Sequence, residues 1–409
     1  MYPPSTLLIR YMYPNRPAAN FCYRHLHGDA YERGFRWQGW LDTMLYGGNW
    51  RGREGREAML EAAQLPLTSY FPERGKWMTR SDWSEDAVCL TLDARPDAFM
   101  IGHDKVDRGH FTLSALGRMW AFIGDFHHWN TSMENSMVHI DGKAQAWKAP
   151  GGRFVWEGDD GSTAAACVDM KYAYDWEWSP PWPKVDKAWP EGWEPERSGP
   201  IDLGWPKDVA PAWLPEELFG SDTGYAHRNG LHRRSYNPVI RAFRAALLRR
   251  GPHPYVLIAD EIGKPDDENH RFEWVMQVPT DLVIQRQDGQ DIVLGTPAAT
   301  DSGSPRLLVR AIRAEDAGGV TPAELSFKLE PFLAGENKKS GQRFEGARLI
   351  CTVESGDPHF RFLLYPFREG DPIPTCEIRG NAIDVTWPNR TDHYALSEDG
   401  DTGIRARWE

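Results

Sequence analysis

From about residue 77 onward the chain breaks into short apolar runs, most of them ending at Gly, Asp or Pro. Such spacing leaves little room for long helices and fits antiparallel strands joined by tight turns. Runs at 87–92, 98–101, 111–116, 120–123 and 136–140 come first. A strand pair after Pro150 is expected to end in 164–174, and runs at 239–248, 255–262 and 272–278 carry the pattern on, at intervals, to Trp387. No internal repeat or low-complexity tract breaks the region, so residues 76–409 are expected to form one large, mainly β unit.

Two stretches depart from that texture. Residues 1–75 carry apolar positions at mixed three and four spacing over 18–27, 37–45 and 53–64, separated by Gly or Pro, which predicts three short helices. Residues 176–215 fit neither period. Seven tryptophans (Trp176, Trp178, Trp182, Trp189, Trp193, Trp205, Trp213) lie there among Pro, Glu and Lys. A loop of that length inside a compact domain is functional or disordered, and its aromatic content argues against disorder. The flat indoles either stack on sugar rings or pack down as a lid.

Charge and composition exclude several classes. The chain has 47 Lys and Arg against 59 Asp and Glu, a net charge of −12, which argues against a nucleic-acid partner because phosphate neutralisation needs a basic face. No apolar run approaches the roughly 18–20 residues that span a bilayer. The first ten residues lack a basic segment followed by an apolar one, so no secretory signal is visible; if the true start is missing, a periplasmic or secreted location is favoured. Five cysteines are scattered with no CxxC pair, so neither a disulfide framework nor a cysteine zinc site is expected. No GxSxG, HExxH, P-loop or GxGxxG occurs, and no cofactor is expected.

The densest chemistry lies in Gly102-His103-Asp104-Lys105-Val106-Asp107-Arg108-Gly109-His110-Phe111, followed by Gly124-Asp125-Phe126-His127-His128-Trp129. On an alternating strand His103, Lys105 and Asp107 share one face. That row either holds a carboxylate-bearing ligand or is an ordinary polar face. His127 and His128 are adjacent and diverge on a strand, a poor start for a metal site. Tyr172 and Tyr174 are either proton-transfer groups or strand aromatics. Paired carboxylates for glycoside hydrolysis stay open, since spatial separation defines them.

Several of these segments together resemble the C-terminal half of heparinase II/III-type polysaccharide lyases. The resemblance rests on residues 70–83, on Gly102 to Phe111, on Phe122-Ile123-Gly124-Asp125, on 135–145, and on Val168-Asp169-Met170-Lys171-Tyr172-Ala173-Tyr174. Tyr236-Asn237-Pro238, the strand-like 241–250 and the run 254–260 ending at Asp260 follow in the same order, so that it covers roughly 65–365. It implies an antiparallel β supersandwich preceded by an (α/α) toroid, with the substrate cleft between them. Residues 1–75 would then be the last helices of such a toroid, and the chain a truncated or short member.

The implied reaction is β-elimination at a uronic acid. Once the carboxylate is neutralised, a base removes the C5 proton and an acid protonates the departing O4. His103 takes the place of the histidine that the β part lends to the cleft, with Tyr174 and His110 as further catalytic candidates. Asp107, Arg108, His127, Trp129 and Trp182 are the substrate-binding candidates, and Arg108, Arg233, Arg234 and Arg241 could supply a local basic cleft. The expected partners are an acidic polysaccharide or oligosaccharide and, in a homodimer, a second copy of the chain; a non-catalytic carbohydrate-binding module and a glycoside hydrolase are the alternatives. Family members commonly hold a structural zinc at three positions that here read Lys105, Asp125 and Asn135. A protonated lysine repels a cation, so the resemblance implies no metal and a Lys105–Asp125 ion pair in its place.

Overall fold

The chain divides into two compact units, Met1–Leu67 and Thr68–Glu409. The computed structural model describes residues 65–95, 107–122, 132–146, 149, 151–179, 192, 194–195, 232–297, 303–337, 340–398 and 403–408. The helices expected before residue 65 and the strand expected at 98–101 lie outside them.

In chain order the strands are β1 (Thr68–Phe71), β2 (Lys76–Arg80), β3 (Cys89–Asp93), β4 (Phe111–Ala115), β5 (Arg118–Ala121), β6 (Val138–Ile140), β7 (Arg153–Asp159) and β8 (Thr163–Asp169). After a short helix α1 (Lys171–Asp175) come β9 (Trp176–Ser179), β10 (Glu194–Pro195), β11 (His232–Ser235), β12 (Arg241–Arg249), β13 (Tyr255–Gly263), β14 (His270–Val278), β15 (Val283–Asp288) and β16 (Asp291–Gly295). The last are β17 (Arg306–Arg313), β18 (Ser326–Asn337), β19 (Gln342–Ser355), β20 (Phe360–Phe367), β21 (Thr375–Arg379), β22 (Ala382–Trp387), β23 (Arg390–Glu398) and β24 (Ile404–Trp408). The fold is mainly β, and every strand pairing among the described residues is antiparallel.

An eight-stranded sheet in the order β15-β16-β17-β20-β13-β12-β8-β7 forms the middle layer. Its central strands read as continuous apolar runs because both faces are covered. Ala164, Ala166 and Val168 of β8 join Ile258 and Phe362 in one core, against Trp77, Leu90 and Trp120 of the β1–β5 meander and Trp274 and Met276 of the β18-β19-β14-β6 sheet. Trp274 stacks on Phe362 with centroids 3.9 Å apart. Ala165, Cys167, Leu257 and Leu363 point the other way, onto Ile383, Val385, Trp387 and Tyr394 of the C-terminal β21-β22-β23-β24 sheet. Each fully buried large apolar side chain contributes roughly 1.5–3 kcal/mol.

Three sequence expectations change. The strand predicted to run to 174 stops at Asp169, whose carboxylate accepts the Lys171 N–H at 3.0 Å and turns the chain into α1. The Lys171–Asp175 ion pair, spaced i to i+4, reinforces that turn. Trp176–Ser179 is a strand rather than irregular loop: it pairs with His232–Ser235, so the Trp-rich insertion leaves and returns through one paired neck. Strands also continue past Trp387, through β23 and β24.

Candidate functional site

The motif turn Asp107-Arg108-Gly109-His110 leads into β4 and is folded into the interior. Gly109 takes φ +81°, and a Cβ there would lie 2.4 Å from the Met170 sulfur, so a bare backbone is required. Its N–H donates to Asp93 O at 2.6 Å, and the Asp93 N–H donates to His110 O at 2.9 Å. Asp107, Arg108 and His110 are 7%, 2% and 0% exposed.

The Arg108 and His110 side chains are held from within. The Ser136 N–H donates to His110 Nδ1 at 2.9 Å, which places the proton of the neutral ring on Nε2. Arg108 donates to Ala149 O at 3.4 Å, its own carbonyl accepts from Gln145 at 2.6 Å, and its Cγ lies so near Gly152 that a Cβ there would be 2.9 Å away. Tyr174, fully buried on α1, donates to Val138 O at 2.6 Å, and burial pushes its phenol well above the usual range. The Tyr174 hydroxyl and the His110 Nδ1 thus meet backbone, and both side chains are fully buried. Tyr174, His110 and Arg108, the first two expected as proton-transfer groups and the third as a substrate binder, thus lie buried in the fold with bonds to the main chain. Arg241, considered for a basic cleft, is engaged by Asp357 and Glu261.

Under the turn lies a group that the sequence reading passed over. Arg244 is completely buried and pairs bidentately with the equally buried Asp260, at 2.6 and 3.0 Å. Its remaining Nη1 donates to Gly109 O at 2.7 Å and Ser136 O at 2.6 Å, while Trp274 Nε1 donates to Asp260 at 3.1 Å. One guanidinium thus ties the Asp107–His110 turn to the Asn135–Ser136 segment. An available signal was an arginine inside the apolar run of β12, paired in register with an aspartate at the end of the apolar run of β13.

Two further carboxylates meet at the turn. Asp93, 1% exposed, pairs with Lys76 Nζ at 2.7 Å. Burial raises its pKa, against Lys76 and Arg95. Asp107 is pushed up to about 6, by burial first and by Asp93 second. An open pair of this kind would suit glycoside hydrolysis. This one is closed within the fold.

Glu261, Asp357 and His359 bring three potential ligand atoms within 4.8 Å of one another. Burial disfavours the charge on Glu261, yet Arg361 and His359 hold its carboxyl far below the usual range. His359 Nδ1 donates to the Glu261 carboxylate across 2.5 Å, Arg361 pairs with Glu261, and Arg241 pairs with Asp357. Resident cations already neutralise these acids, so the donor set fits an ion-pair network better than a metal. His103, Lys105, Asp125, His127, Trp129 and Trp182 lie outside the described residues. Asn135, expected at a position where the resemblance implies a zinc ligand, is fully buried.

The layered sheets match those of solved polysaccharide lyases. Heparan sulfate lyase HepC from Pedobacter heparinus, crystallised as a mutant, superposes with a TM-score of 0.52 at 11% identity, over 88% of this chain and 47% of that one. Another crystal structure of HepC from the same organism gives 0.51 at 10% identity, over 87% and 46%. The chain spans about half the length of these structures, and the likeness is one of fold. No family model matches the sequence. Nor does any curated protein.

Proposed function

We propose that the chain is the β part, or a short form, of a polysaccharide lyase that cleaves a uronic-acid-containing polysaccharide by β-elimination. The observation that supports this most is the fold shared with heparan sulfate lyase HepC along 88% of the chain. In this reading residues 1–75 end a helical toroid, and His103 faces the cleft, where it helps neutralise the uronate or move the C5 proton. The proton leaves C5, the C4–O4 bond breaks, and O4 takes a proton, which leaves a C4–C5 double bond. Arg244, through Gly109 and Ser136, keeps the segments around His103 in register.

The test is incubation with alginate, heparan sulfate, chondroitin and ulvan while the ultraviolet absorbance of the conjugated double bond is followed. An unsaturated uronide supports the lyase. A saturated reducing end would make it a hydrolase, and binding without product a carbohydrate-binding module. Where turnover is found, His103→Ala should lower kcat/KM by at least about a hundredfold; an unchanged rate removes His103 from the site. In the same reading Lys105 stands in for the family zinc by pairing with Asp125. Metal analysis should then find zinc well below one per chain, and a stoichiometric ion would refute the substitution.

A further inference from the structure

Two peptide bonds of the chain join aspartate to proline, Asp357–Pro358 and Asp371–Pro372, and each follows a glycine. Such a bond is chemically weak. The aspartate carboxylate can close a ring on its own main-chain carbonyl, and the proline nitrogen, a tertiary amide without N–H, leaves readily once protonated. The fold sets the two bonds in different surroundings. Asp371 lies in the exposed turn after β20, where its carboxylate accepts the Arg368 N–H at 2.7 Å and, among the described residues, bonds no imidazole.

Asp357 stands in the connection between β19 and β20. Its N–H donates to Ser355 Oγ at 3.1 Å, the Gly356 carbonyl accepts from Lys264 N–H at 3.2 Å, and the Pro358 carbonyl accepts from Glu315 N–H at 2.7 Å, so the chain is pinned on both sides of the bond. His359 then takes a φ of +47°, in the left-handed region that disfavours residues with a Cβ. Arg241 pairs with Asp357 Oδ2. The other oxygen, Oδ1, is buried without a hydrogen-bond donor among the described residues, and a Cβ on Gly263 would stand 3.4 Å from it. The residue after the proline carries the proton source. His359 Nδ1 donates to Glu261 at 2.5 Å, and Nε2 lies 3.3 Å from Asp357 Oδ2 and 4.0 Å from Glu315. Burial disfavours charge on that ring, but Glu261 and Asp357 outweigh both burial and Arg313 and raise its pKa above the ordinary value.

From this arrangement we infer that the protein cuts its own chain between Asp357 and Pro358, with the Asp357 carboxylate as nucleophile and His359 as proton donor. A carboxylate oxygen attacks the Asp357 main-chain carbonyl carbon, and the C–N bond to Pro358 breaks as the proline nitrogen takes a proton from the imidazolium. The cyclic anhydride so formed is opened by water, which reaches the site because the Asp357 side chain is 35% exposed. One water is consumed in all: its oxygen stays on Asp357, now a C-terminal residue, and its two protons end on the Pro358 nitrogen, with the imidazolium restored. Cutting also frees the pinned turn before the left-handed His359. The inference is independent of the lyase reading.

The test is incubation of the purified full chain at about pH 6, where the imidazole is charged, followed by mass spectrometry of the denatured protein. Denaturation is needed because β20 stays paired with β13 and β17 and would hold the two pieces together. Pieces 1–357 and 358–409 should accumulate, the second beginning at Pro358, while the Asp371–Pro372 bond stays whole. Wild type unfolded in guanidinium at the same pH should be cut at least about tenfold more slowly, a comparison that needs no variant to fold. His359→Asn keeps a residue that tolerates left-handed backbone and should slow the cut by at least about tenfold, and Asp357→Ala should stop it. Circular dichroism would confirm that both variants are folded. An uncut wild type, equal cutting at the two Asp–Pro bonds, an unfolded chain cut as fast as the folded one, His359→Asn cut at the wild-type rate, or Asp357→Ala still cut before Pro358 would each overturn the inference.

Discussion

Arg244→Leu is expected to lower folding stability by about 3–5 kcal/mol, because it strands a buried carboxylate. Asp260 has no exposure and would keep only the Trp274 N–H as a donor. Gly109 O and Ser136 O would also lose their donor, and unsatisfied buried carbonyls cost on the order of 1–3 kcal/mol each where no water enters. The double variant Arg244→Leu with Asp260→Leu should be less damaged than the single one, since the uncompensated charge is gone and only the carbonyls and the Trp274 N–H stay unpaired. Denaturant unfolding decides the matter. A single variant within about 1 kcal/mol of wild type, at an unchanged m-value, would mean that the pair does not organise the turn.

The same residue shows how far the sequence could be read. Strands with clear punctuation were legible: β4, β12, β13 and β14 begin and end within a few residues of the runs at 111–116, 239–248, 255–262 and 272–278. What stays hidden is which face each residue meets. In β12, Phe243 and Ala245 point to the C-terminal sheet while Ala242 and Ala246 point to the meander, and the two partners are separated in sequence by more than half of the chain. Without that knowledge a lone arginine in an apolar run cannot be told from a solvated one. For the same reason the Asp107–His110 turn was readable as a cluster of reactive side chains but not as a buried one. Its cover comes from Ser136, Gln145, Met170 and Arg244, brought together only by the sheets. The boundary before Tyr174 was hidden for a local reason: the Asp169 carboxylate ends the strand early, and the phenol donates to a carbonyl of β6.

Asp107→Asn is expected to make the protein more stable than wild type at pH 7–8, and the sign follows from proton binding. In the folded chain this carboxyl is pushed up to about 6, by burial and then by Asp93, against Arg108, Arg95 and Lys76. In the unfolded chain it titrates near the ordinary value of about 3.9. Between those two values the folded state holds the extra proton, so its stability falls as pH rises from about 4 to about 6, and the penalty is complete above that. Asparagine has no proton to lose. Its amide can also donate toward the Asp93 carboxylate, where the wild-type carboxylate can only repel it. The variant should gain on the order of 2 kcal/mol at pH 7–8, and the gain should vanish near pH 4. Because burial raises Asp93 as well, some of the same slope should persist in the variant. Thermal unfolding midpoints of both proteins from pH 4 to pH 8 provide the comparison. A difference that stays flat across the range, or a variant less stable at pH 8, would show that Asp107 is not ionised at a cost in the folded protein.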